Sequence, residues 1–170
     1  AVKFLKDASE IEQNLLDPEK IFKELVEINK LQNWSEAENV KITKDQFWSS
    51  LPKLYQTFKK KLLNINSGTK GICYCEASKN LEFYKEGNPN VKHFFIGLNA
   101  LTHSEELIIK ELIDLNDGDV FWDIDKEFIK NKYHKSSYYI NAYKKSWNRY
   151  NKKEFKWVLD DYKKKKKFNI

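Results

Sequence analysis

Between residues 94 and 125 the chain reads "FFIGLNALTHSEELIIKELIDLNDGDVFWDID": a strand, a loop, a capped helix, a turn and a second strand. No other stretch constrains the fold as much, because a strand–helix–strand of this length closes as a parallel crossover. Residues 91–98, "VKHFFIGL", have the continuous apolar character of a buried-type strand. Residues 103–115 form the helix, with Thr102 or His103 at its cap and Glu105 and Glu106 beside its positive end. Leu107, Ile108, Leu112 and Leu115 make the face expected to be buried. Asn116, Asp117 and Gly118 turn the chain into the second strand, "DVFWDI".

The remainder reads mostly helical, so the expected class is α/β with helix predominating. In "DPEKIFKELVEINKLQNW", Asp17 is the N-cap, Pro18 the first helical residue and Glu19 a favourable acid in the first turn. Ile21, Leu25 and Ile28 form its apolar stripe, widened by Phe22 and Val26. "TKDQFWSSLPKLYQTFKKKLLNIN" places Phe47, Leu51, Leu54, Tyr55, Phe58 and Leu62 on one face, with Pro52 kinking the helix or marking its start. "NSGTKG" is a turn, and "ICYCEASKNLEFYKEG" reads as helix. "EGNPN" is the expected boundary, which gives a helical subdomain over 1–90, a βαβ unit over 91–126 and a basic, aromatic-rich helical region over 127–170. The last apolar residues after "KKKKK" read as the start of a cut strand.

Charge is distributed unevenly. The net charge is +6, yet residues 130–170 alone carry an excess of +11 and residues 1–129 sum to −5. A basic C-terminal quarter fits contact with a polyanion or simply a solvated face. No apolar run approaches the ~18 residues of a membrane span, and the first residues lack signal-peptide features. Cys73 and Cys75, spaced by one residue, suit neither a disulfide framework nor a zinc site, so a reducing cytoplasm is expected. The chain opens with Ala1 and contains no Met, as expected of a piece of a longer protein.

Parallel sheets bind ligands at the carboxyl ends of their strands. Asp123 and Asp125 share a side of an extended strand and could begin a Mg²⁺ site, although no third ligand can be assigned. A nuclease would need acids with an acid-x-Lys pair on a strand; Asp123, Asp125, Glu154 and Lys156 have the letters, but "YNKKEFKWVLDDY" has a helical pattern. "NSGTKG" lacks the residue order of a phosphate loop. His93, His103 and His134 sit in unrelated contexts, so no catalytic residue and no cofactor is assigned. In "SSYYINAYKKSWNRYNKKEFKW", Tyr139, Tyr143, Trp147 and Tyr150 recur at +4, +4 and +3 and read as a core stripe. Lys145, Arg149 and Lys152 lie on the opposite face. With Lys144, Lys153, Lys163, Lys164 and Lys165 they are the candidate nucleic-acid contacts. A small Mg²⁺-dependent nuclease and a protein-interaction module without nucleic-acid affinity are the alternatives.

The stretch from Phe94 to Asp125, followed by "EFIKNKYHKSS", resembles a segment of the AddB-like subunits of Bacteroidetes. These are PD-(D/E)XK nuclease family proteins often labelled inactivated superfamily I helicases. The run F-x-G-[FL]-N-A-L-[TS]-x-[SA]-E-E is matched by Phe95 to Glu106, and W-D-x-D by Trp122 to Asp125. A third element, H-E-A-G, departs here: His134 is followed by Lys135, Ser136 and Ser137. "LYQTFKKKL" is similar to the helical insertion preceding that segment. The resemblance implies a helical insertion plus a βαβ unit from a degenerate P-loop helicase core. It places the Walker B acid position at Ile96, before Gly97, and isoleucine cannot ligate a metal. It further implies a non-catalytic fragment of a DNA double-strand-break repair protein, with DNA and an AddA-like helicase-nuclease subunit as partners.

Overall fold

The computed structural model describes residues 2–32, 38–124, 126–130 and 135–158, and the chain divides into two units, Ala1–Lys79 and Asn80–Ile170. The division falls ahead of "EGNPN". Helix α5 (Leu81–Gly87) and the turn after it bond onward into the second unit, where Lys85 Nζ donates to Glu111 at 3.0 Å and Asn116 Nδ2 to the Val91 carbonyl at 3.1 Å.

The first unit is helical: α1 (Val2–Gln13), α2 (Pro18–Gln32), α3 (Glu38–Asn64) and α4 (Lys70–Lys79). Helix α2 begins at Pro18 as its residues require, and the Glu19 N–H donates to Asp17 Oδ1 at 2.9 Å. Helix α1 packs on α4, and α2 on α3. At the first contact a Cβ added to Gly71 would lie 2.1 Å from the Ser9 carbonyl oxygen, so only glycine permits the approach. The core is an aromatic cluster in which Phe22 meets Phe4 at 5.3 Å and Tyr55 at 5.6 Å between centroids. Because Phe22 and Val26 take the core, the expected α2 stripe is corrected: Leu25 and Ile28 are exposed. On α3 the buried line is Leu51 and Tyr55, with Phe58 and Leu62 half-buried, while Phe47 and Leu54 face water. Pro52 lies inside α3 rather than at its start.

In the second unit, β1 (Phe94–Ile96), β2 (Asp119–Trp122) and β3 (Lys156–Trp157) form a three-stranded parallel sheet in that order. Helix α6 (His103–Asp114) makes the expected parallel crossover between β1 and β2. Its buried residues are Ser104, Ile109 and Ile113, so the expected buried face is corrected: Leu107, Ile108, Leu112 and Leu115 are half-buried. The rest comprises α7 (Lys126–Lys130), a tight turn at Lys135–Ser137, α8 (Tyr138–Ser146) and a tight turn at Asn148–Asn151. The chain is therefore mostly helical with a small parallel sheet, as expected. The expected helix through residues 150–158 is corrected, because that segment ends in β3. Helix α8 stops at Trp147, whose backbone is extended (φ −86°, ψ 112°) and whose indole is buried and donates to Glu106 Oε1 at 2.8 Å.

The core lies on one side of this sheet. Trp122 is fully enclosed and stacks on Tyr143 at 5.8 Å and on Phe155 at 5.2 Å. Ile109, Ile113, Val120, Ile140 and Trp147 complete it. On the other side Phe94 and Ile96 are 54% and 68% exposed, so β1 is not the buried strand its apolar run implies. Lys92 and Lys156 lie over the Phe94 and Phe121 rings on that side, at 5.6 and 5.5 Å.

Candidate functional site

The carboxyl edge of the sheet is built around the loop after β1. Gly97 has φ +72°, and its N–H donates to the Phe121 carbonyl at 3.0 Å. The Leu101 N–H then donates to the Tyr143 hydroxyl at 2.8 Å, tying the loop to α8. Thr102 caps α6 through a reciprocal box: its hydroxyl accepts from the Glu105 N–H, and Glu105 Oε2 accepts from the Thr102 N–H at 2.9 Å. A helix N-terminus at this edge is a ready anion site. Here the chain's own Glu105 fills it, and Glu106 is engaged by the Trp147 indole and by Lys110 at 2.8 Å each. Ile96 points its apolar side chain to solvent, and Asp123 is exposed at the end of β2. Asp125 and His134 lie outside the described residues.

The register of β2 and β3 decides the nuclease-like grouping. Phe121 pairs with Lys156 and Trp122 with Trp157, so Glu154 falls near the amino end of β2 and Asp123 beyond its carboxyl end. Lys156 Nζ instead bonds Asp119 Oδ2 at 2.5 Å. Among the described residues, no group of three or more His, Cys, Asp or Glu side chains is placed to hold a metal ion.

What the structure does assemble at the amino edge is an ionic cluster around Arg149. One guanidinium nitrogen donates to the Ile113 carbonyl at 3.1 Å and to Asp114 Oδ1 at 3.2 Å. The other donates to the Gly118 carbonyl and lies 3.4 Å from Asp119 Oδ1. Arg149 thus closes the C-terminal end of α6 onto the start of β2, and its side chain is only 6% exposed. Its expected place on an open phosphate-binding face is corrected: the break after Ser146 changes the helical phase and turns it inward. Burial works against ionisation of Asp119. The Lys156 bond, the Val120 amide and the charges of Arg149 and Lys156 nonetheless hold its carboxyl below the ordinary value.

A second buried cluster lies in the first unit. Glu12 is 2% exposed, and its Oε1 accepts from the Tyr55 hydroxyl and from Lys59 Nζ, each at 2.8 Å. Burial pushes the Glu12 carboxyl up, but the bonds from Lys59 and Tyr55 outweigh it and leave it below the usual range. Burial also pushes the neighbouring Cys75 thiol up, away from the reactive thiolate. Both clusters join residues far apart in sequence, so no local pattern marks them. The one local signal was an acid, Asp119, opening an otherwise apolar strand.

Of the other candidate cations, Lys144, Lys145 and Lys152 are exposed. Lys153 pairs with Asp117, and Lys144 lies over the Phe155 ring at 5.5 Å. Lys163, Lys164 and Lys165 lie outside the described residues. Tyr143 and Trp147 are buried and Tyr150 is half-buried, but Tyr139 departs from the expected core stripe and is exposed. No helix among the described residues is long and apolar enough to cross a membrane. Comparison with protein-family models, with curated proteins and with solved structures finds no match to this chain.

Proposed function

We propose that this chain is a non-catalytic part of an AddB-like DNA double-strand-break repair protein, supplying scaffold and DNA-backbone contact. The observation that carries the reading is the exposure of Lys144, Lys145 and Lys152 within residues 135–153, a stretch without an acid. Lysines so placed neutralise phosphates and release counterions without reading bases. Two further features support it. The resemblance runs through β1, α6 and β2, which form a parallel strand–helix–strand unit, and by that resemblance Ile96 falls where active relatives of the helicase fold carry an acid. The α6 N-terminus is already occupied by Glu105, which fits a nucleotide edge that has lost its ligand. On this reading the chain is not an enzyme, works in the cytoplasm and has an AddA-like subunit as partner. The nuclease alternative loses support because β3 delivers Lys156 to Asp119 rather than to Asp123.

One observation favours a protein-interaction module instead: on the sheet face partly covered by Lys92 and Lys156, the side chains of Phe94 and Ile96 stay more than half exposed. Fluorescence anisotropy of labelled double- and single-stranded DNA across a salt series, with and without Mg²⁺, separates the two. The DNA reading expects affinity that falls steeply with salt. Each of Lys144→Glu, Lys145→Glu and Lys152→Glu should weaken it and lower the log–log salt slope by about 0.9 per lost phosphate contact. Absence of binding at low salt would leave the interaction module.

A further inference from the structure

The core of the second unit does not account for the tyrosines that open α8. Tyr138 is 69% exposed and Tyr139 45%, and their rings meet edge to face with centroids 5.3 Å apart. Ala142 and Lys145, four and seven residues on from Tyr138, continue its side of the helix and are both exposed. Lys135 belongs to the tight turn running into α8, three residues ahead of Tyr138, a spacing that places side chains one above the other. From residue 135 to residue 146 the chain carries three lysines and no acid. Lys135 and Lys145 have no ion-pair partner among the described residues, and α8 has neither an acid in its first turn nor a side-chain cap. Two exposed tyrosine rings flanked by cations that have no acid partner among the described residues match one ligand chemistry closely: unpaired bases that stack, with phosphates on either side. A duplex would use the lysines and leave the rings idle.

We propose that Tyr138 and Tyr139 form a stacking platform for single-stranded nucleic acid, with Lys135 and Lys145 on its phosphates. The proposal rests on the nucleic-acid reading above and narrows it to a strand with unpaired bases. The test is anisotropy of a labelled oligothymidylate and of an abasic oligonucleotide of equal length, against the full chain. The wild type should prefer the oligothymidylate by about tenfold or more. The Y138A/Y139A variant should lose that preference and keep its abasic affinity, while Y138F/Y139F should retain both, since phenylalanine stacks as tyrosine does. Both rings are exposed, so a circular dichroism spectrum like that of the wild type is expected for each variant. Equal wild-type binding of the two strands, or a preference that survives the alanine pair, would overturn the platform and leave backbone contact standing. Binding of neither strand would overturn both readings. An acidic peptide bound with the same loss on Y138A/Y139A would replace the nucleic acid with a protein partner.

Discussion

Arg149 ties together four polar groups of the second unit. It satisfies the Ile113 carbonyl at the end of α6 and the Gly118 carbonyl before β2, and it lies beside Asp114 and Asp119. Removing it leaves the buried Asp119 carboxylate with only Lys156 and the Val120 amide. Arg149→Met is therefore expected to destabilise the unit by about 3–5 kcal/mol, read as a lower denaturation midpoint in urea. Arg149→Lys should recover only part of the loss, since one ammonium cannot span that fork of acceptors. Tyr55 and Glu12 hold the same position in the first unit. Tyr55→Phe deletes one hydrogen bond to a buried carboxylate and is expected to cost about 1–3 kcal/mol. The aromatic contacts to Phe4 and Phe22 would survive that change, so near-ultraviolet dichroism should alter little while the midpoint falls.

At the scale of single elements, stability depends on how each one ends. Helix α6 starts at a reciprocal cap, and Thr102→Ala removes the side-chain acceptor for the Glu105 N–H. A loss of about 1 kcal/mol is expected, measurable by thermal unfolding. The end of β1 depends on Gly97, whose φ of +72° is strained for any residue with a Cβ. The space is open, with only Asp123 Cβ at 4.0 Å, so Gly97→Ala tests backbone strain without a clash. It should cost about 1–2 kcal/mol, and a neutral result would show that the loop adopts a different backbone. Helix α8 ends because Trp147 is drawn into the core and its indole bonds Glu106. That break sets the phase of the next turn and sends Arg149 inward.

At the scale of the whole molecule, among the described residues each unit has one carboxylate held below its ordinary pKa, Glu12 in the first and Asp119 in the second. A carboxyl depressed on folding adds stability that is fully present above its unfolded value, about 4, and is lost as pH falls through the folded one. The melting temperature should thus hold steady from neutral pH to about 5 and drop below about 4. In Glu12→Gln that acid-side drop should shrink, at the expense of stability at neutral pH. The local signals came through where local chemistry decides structure. Asp17 and Pro18 began α2, the capped run from Thr102 made α6, and the apolar stretches on either side of it became the parallel pair β1 and β2. Burial was less legible, because amphipathic spacing shows that a face exists but not which of two adjacent stripes a neighbour will cover. Phe22 displaced Leu25 from the core in this way, and Tyr139 fell outside a stripe whose other members are buried or half-buried. By itself, then, the sequence determined the starts of α2 and α6, the parallel crossover from β1 to β2 and the basic character of the C-terminal quarter. Only tertiary structure decided that residues 156–157 pair as a strand, that Arg149 is an internal tie, and that Tyr138 and Tyr139 face water. Those outcomes depend on contacts between residues dozens of positions apart, which no local spacing encodes.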